Sequence, residues 1–149
     1  MEAFSQLLQQ LYFTSSNNEK SRLLRHYLAH TADPDRGWAI AALAGTLKFE
    51  FFKRNVVKNL MLERVDPDLF AMSYDYVGEM SETVAHLWPD ATTNIELPGL
   101  AEVIGQFRQA NREQVKALLV HYLSGMTAEQ RWSLLKLGTR GLRVGLSAR

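Results

Sequence analysis

The hydrophobic residues of this chain recur at helical spacing from one end to the other, and strand-like alternation persists nowhere. That period is restrictive. Apolar side chains three and four apart share one stripe of a helix but would be split between the two faces of a strand. The expected fold is therefore all-α, a single multi-helix domain. Phe4, Leu7, Leu8 and Leu11 form the first stripe, and Leu23, Leu24, Tyr27 and Leu28 the second. The second helix is announced by Ser16 with Glu19 three residues on, a capping box in which each side chain can satisfy the other's amide. Asp33 before Pro34 and Asp66 before Pro67 repeat one start signal, a carboxylate cap followed by a proline whose missing N–H costs nothing in a first turn.

The helix after Asp33 carries Trp38, Ile40, Ala41 and Leu43 and stops near Gly45; the one after Asp66 carries Leu69, Phe70, Met72 and Tyr76 and stops near Gly78. Residues 51–64 between them read as one helix, with Val56, Val57, Leu60 and Met61 inward and Lys53, Arg54, Lys58 and Arg64 largely outward. Further helices are expected over 80–88, closed by Pro89, and over 100–107 and 112–123. Thr127 with Gln130 makes a second capping box, opening a helix through Trp132, Leu134, Leu135 and Leu137. Residues 90–99 are the one extended, turn-rich connection and read as an ordered loop rather than a hinge between two helical halves. No fixed period joins these helices, which argues against a solenoid. Trp38, Phe70, Leu87 and Leu134 are expected to be buried.

A chain of 149 residues, 46% of them hydrophobic, is long enough for one domain with a sizeable core. It holds no cysteine, which excludes disulfides and thiolate zinc sites and fits a reducing cytoplasm. The start, MEAFSQLLQQLYF, lacks the cationic region and small-residue cleavage site of a signal peptide. No apolar run approaches the roughly 18 residues of a membrane span. A cytoplasmic protein without a membrane partner is the expectation.

Charge is distributed unevenly. Residues 131–149 hold Arg131, Lys136, Arg140, Arg143 and Arg149 and no acid, a local +5 in a chain whose net charge is +1, so everything upstream carries −4. Gly138, Gly141 and Gly145 punctuate this segment and let backbone amides and guanidinium groups approach an anion closely. A phosphate backbone is the commonest such partner. The alternative is a helical protein-interaction scaffold whose Arg-rich end binds an acidic partner.

No catalytic constellation is visible. His26 and His30 are four apart, a spacing compatible with one metal, but Tyr27 follows His26 where the His-Glu-x-x-His pattern needs its general base, and no third ligand is evident. His86 and His121 stand alone. Of Asp33, Asp35, Asp66, Asp68, Asp75, Glu79 and Glu82, five sit where caps and first turns want negative charge, which favours a structural reading. Neither a phosphate-binding Gly-rich loop nor a Gly-x-Ser-x-Gly elbow is present. Trp38, Trp88 and Trp132 read as core anchors.

Three segments, DPDRGWAIAALAGTLKF (33–49), ERVDPDLFAMSYDYVGEMSETVAHLWP (63–89) and RWSLLKLGTRGLRVGLSAR (131–149), resemble the N-terminal helical DNA-binding domain of bacterial ATP-dependent DNA ligases. The nearest group is the one linked to a DNA-damage-response helicase and exonuclease, and the likeness spans nearly the whole chain. Its most specific part is Gly141-Leu142-Arg143-Val144-Gly145-Leu146, similar to the Gly-x-Leu-Arg-x-Gly turn of those domains. The resemblance implies an all-helical domain that grips nicked double-stranded DNA from the minor-groove side, with this turn at the sugar-phosphate backbone. Lys136, Arg140, Gly141, Arg143, Gly145 and Arg149 are then the expected DNA contacts, with Lys53 and Arg54 a second, weaker patch. The same family forms a lysyl-adenylate at Lys-x-Asp-Gly, and no lysine here has that context; Lys48-Phe49-Glu50-Phe51 fails at two positions. The resemblance therefore implies a fragment without catalytic residues or cofactor of its own. ATP and Mg²⁺ would belong to downstream ligase domains beyond Arg149, and helicase and exonuclease partners would be shared with the whole enzyme. One departure is Gly138, which stands where an apolar helix residue is expected and predicts a loosened helix end.

Overall fold

The computed structural model describes residues 1–14, 16–44, 51–77, 80–88 and 97–139, with the side chains of 44, 73–77 and 80 outside that set. Regular structure in these residues is α-helical: α1 (Glu2–Tyr12), α2 (Asn17–Ala29), α3 (Asp35–Ala44), α4 (Arg54–Leu62), α5 (Pro67–Val77), α6 (Met80–Leu87), α7 (Leu100–Gln109), α8 (Arg112–Gly125) and α9 (Ala128–Gly138). No helix among the described residues is long and apolar enough to cross a membrane.

The helices start where local chemistry dictates. Thr127 and Gln130 exchange side-chain and backbone hydrogen bonds at 3.0 and 3.2 Å, completing the box that opens α9. Asn111 and Gln114 do the same for α8, at 2.9 Å each. At α2 only half of the expected box forms. Ser16 Oγ accepts from the Glu19 amide, but the Glu19 carboxylate turns to Arg22, because a guanidinium one turn on offers it a charged partner. Asp66 Oδ1 accepts from the Asp68 amide at the head of α5, as its sequence context predicts. Asp33 does not play that part. The helix after it begins at Asp35, whose carboxylate instead reaches across the fold to the Leu100 and Ala101 amides at 3.2 and 2.8 Å, capping α7. Gly99 makes room for that carboxylate, since a β-carbon there would collide with it.

One core runs through the molecule. Phe4, Leu7, Leu8 and Leu11 of α1 are all buried, as are Leu134, Leu135 and Leu137 of α9. The α1–α9 seam closes around small residues, where the Ser5 and Ser133 hydroxyls lie 2.9 Å apart and Ser133 also donates to the Glu129 carbonyl at 3.1 Å. Phe70, Trp88 and Leu134 are buried, whereas Trp38, Leu87 and Trp132 are only partly so. Trp38 lies beneath the Arg108 guanidinium, 5.6 Å from its ring centre, and so forms a lid on the α3–α7 contact more than a core anchor. The inward face of α3 consists of Ala39 and Ala42, and Ile40 points outward. In α5, Phe70 is buried while Leu69 and Met72 are 50% and 70% exposed. Residues 51–53 lie outside α4, with Phe51 and Phe52 buried ahead of its first turn.

Arg131 is the largest departure from expectation. Counted by sequence among the cations of the basic segment, it is 5% exposed. Its Nε donates to the Leu123 carbonyl at 2.6 Å and its Nη1 to the Ala85 carbonyl at 3.1 Å, while Nη2 is buried without a hydrogen-bond partner. Both acceptors lie in the last turns of helices, α8 and α6, where carbonyls lack intrahelical partners and the helix dipole is negative. Burial pulls the guanidinium's pKa below the usual arginine range, yet arginine stays protonated in proteins. One cation thus closes two helix ends onto α9. Removing it as Arg131→Ala should cost about 2–4 kcal/mol, through stranded carbonyls and a cavity, against no more than about 0.5 kcal/mol for Arg112→Ala on the surface. Urea unfolding midpoints of the two variants measure the difference.

Candidate nucleic-acid interface

Arg140, Gly141, Arg143, Gly145 and Arg149, the core of the expected site, lie outside the described residues. Lys136 occupies the last turn of α9 and is partly exposed. Lys53 and Arg54 are exposed at the head of α4.

Arg54 and Lys136, 82 residues apart in sequence, flank one junction of the fold. The Phe51 amide donates to the Gly138 carbonyl at 2.9 Å, so Lys53 follows this contact by two residues and Lys136 precedes it by two. Packing explains the junction. Phe51 stacks on Phe107 with ring centres 5.2 Å apart, and Phe52 meets the same ring edge-on at 5.6 Å. Phe107 in turn lies 6.2 Å from Tyr122 of α8. The Phe52 ring covers Gly138, and a β-carbon at that position would sit far inside van der Waals contact with it. Gly138 therefore does not loosen α9. The helix runs through it and is finished by Thr139, whose Oγ and amide both donate to the Leu135 carbonyl, at 2.7 and 3.1 Å. The sequence signal for this junction was an apolar position held by glycine; its partner, a Phe-Phe pair ahead of a helix, carried no signal of its own.

Electrostatics at this end are unusual for a helix start. Lys53 takes the N-cap position of α4 with extended backbone and no side-chain cap bond, Arg54 follows, and no acid stands in the first turn. Cations next to a positive helix end cost about 0.3–1 kcal/mol each, an expense reversed when an anion docks there. Lys58 is exposed along the same helix. Arg64 contributes less, being partly buried with its guanidinium 4.8 Å from the Trp88 ring centre and bonded to the Leu60 carbonyl at 3.1 Å. Trp88 is fixed in turn by its Nε1 bond to Ser124 Oγ at 3.2 Å.

Other sequence candidates are placed as follows. The His26 and His30 rings lie side by side, centres 4.2 Å apart and tilted by 33°, and His30 Nδ1 bonds the His26 carbonyl at 2.8 Å. Among the described residues no three His, Asp or Glu side chains are grouped as a metal site. Asp35 and Asp66 are engaged as caps; Asp75 and Glu79 lie outside the described side chains.

No family model matches this chain. No curated protein matches it. No solved structure matches it.

Gly138→Ala tests the junction. Alanine normally stabilises a helix interior by about 1 kcal/mol over glycine. Here it should destabilise by about 1–3 kcal/mol, because the buried Phe52 ring has nowhere to go. Combining it with Phe52→Leu should recover part of the loss, a coupling read from thermal midpoints of the two single variants and the double variant.

Proposed function

We propose that this chain is a sequence-independent DNA-binding module of an ATP-dependent DNA ligase, holding nicked duplex through phosphate and minor-groove contacts. The observation that carries the reading is the convergence of Lys53 and Arg54 on the end of α9, at the point where the Gly- and Arg-rich segment begins. A duplex presents a negative charge about every 1.7 Å of axis, so a surface that reads it without sequence preference needs cations spread over an area rather than one pocket. Lys136 and Arg140 leading into Gly141-x-Arg143-x-Gly145 supply one part, and α4 supplies another. Glycines let the backbone approach, and the Arg143 fork suits two phosphate oxygens or a narrow groove.

Strand joining requires a nucleophilic lysine, bound ATP and Mg²⁺ in one pocket. The six lysines of this chain all lack the Lys-x-Asp-Gly context, so adenylation is assigned to other ligase modules and this chain to substrate grip. Helicase and exonuclease partners belong to the same proposal.

Affinity of fluorescein-labelled duplex as a function of salt is the direct test. Lys53→Ala with Arg54→Ala should lower the slope of log affinity against log salt by about two, and Arg143→Ala by about one, equally on unrelated sequences. Unchanged slopes, or polyglutamate binding as tightly as duplex, would contradict the reading and favour the acidic-partner scaffold. Incubation with labelled ATP and Mg²⁺ should leave the chain unmodified; a stable adenylate on any lysine would overturn its non-catalytic role.

A further inference from the structure

At the opposite end of α9 lies a cleft of different character. It has a volume of about 420 Å³ and is lined by Gln9, Tyr12 and Phe13 at the end of α1, by Glu82, Ala85 and His86 of α6, and by Ala128, Glu129 and Trp132 of α9. Tyr12 and Trp132 meet edge to face, ring centres 4.7 Å apart at 87°, and so form an aromatic corner with two perpendicular walls. Phe13 stands at the lip, 88% exposed, although no residue of the α1 stripe needs it there. Glu82 and Glu129 are exposed at the rim, and the lining contains neither lysine nor arginine. The C-terminal end of α1 and the N-terminal end of α9 both border this space, so their dipoles oppose and the two carboxylates set the local sign.

We propose that this cleft binds a guanidinium or ammonium side chain presented by a basic segment of a partner protein. Aromatic faces attract a cation through their quadrupoles, an interaction worth about 0.5–2 kcal/mol, and perpendicular rings can face one cation from two sides. Two carboxylates at the rim supply long-range attraction and select positive over neutral groups. The cleft is wider than a small organic cation requires, and its apolar surface continues outward onto Phe13. Both features fit a side chain whose flanking residues pass over the lip. The cleft lies at the N-terminal end of α9, away from Gly138, and selects the opposite sign of charge from the surface proposed for DNA.

The probe is the tripeptide acetyl-Gly-Arg-Gly amide, with acetyl-Gly-Gln-Gly amide as the uncharged control and benzyltrimethylammonium as the free small cation. Binding is read from the Trp132 indole N–H resonance of ¹⁵N-labelled protein, identified by its loss in Trp132→Phe. The arginine peptide should shift that resonance saturably and the glutamine peptide should not. Glu82→Gln with Glu129→Gln should weaken binding about tenfold; each also removes a first-turn charge from its helix, so the thermal midpoint falls by a few degrees and affinity is compared well below it. Equal shifts from the glutamine peptide, or undiminished affinity in the double variant, would overturn the proposal. So would benzyltrimethylammonium binding without the arginine peptide, which would mark a small-molecule pocket instead.

Discussion

The position of α9 depends on a single buried cation. An arginine inside a protein is usually balanced by a carboxylate, and desolvating it without one is expensive. Arg131 is balanced by geometry instead. The carbonyls of Ala85 and Leu123 belong to the final turns of α6 and α8, so the guanidinium receives two unsatisfied acceptors and two negative dipole ends together. An apolar residue there would leave both carbonyls stranded, and a lysine could not reproduce the planar fork. The contact draws three helices to one point and sets the axis along which α9 runs past α1 and α6.

With α9 so placed, its two ends face different chemistry. About 15 Å separates Ala128 from Gly138 at 1.5 Å per residue. The first end meets α1 and α6 around Tyr12, Glu82 and Trp132; the second meets Phe51 and Phe52 and delivers the chain into its Arg-rich segment. Aromatic packing does the joining at the second end. Phe107 holds Phe51 and Phe52, Phe52 covers Gly138, and Lys53 follows directly, so a core cluster fixes where a surface charge emerges. The fold thereby gathers basic residues distant in sequence through aromatic packing.

Much of the helical architecture was legible in the sequence because it rests on local rules. The stripe of Phe4, Leu7, Leu8 and Leu11 and the Thr127–Gln130 box depend on residues within two turns of each other. What local pattern could not reveal is how partners are chosen across the fold. Asp35 reads as a first-turn acid of its own helix and in fact caps α7, sixty-five residues on. Arg131 reads as surface charge because it opens an acid-free run of cations, and its acceptors are backbone carbonyls that have no sequence signature. Gly138 looked like a defect until Phe52 arrived from another element. The faces of α3 and α5 were misjudged for a related reason: Ile40, Leu69 and Met72 satisfy an apolar pattern that tertiary packing does not use. Of the expected DNA contacts, Lys53, Arg54 and Lys136 were found at one end, and the convergence itself was not visible in their spacing.

The proposed surface for duplex DNA joins Lys53, Arg54 and the end of α9. Its sharpest test is amide chemical-shift mapping of ¹⁵N-labelled protein titrated with a nicked duplex. The amides of Lys53, Arg54, Lys136 and Thr139 should shift together and saturate with a common dissociation constant, while those of Phe13, Glu82 and Glu129 stay still. Shifts confined to the Tyr12–Trp132 cleft, or an α4 that does not respond while α9 does, would contradict it.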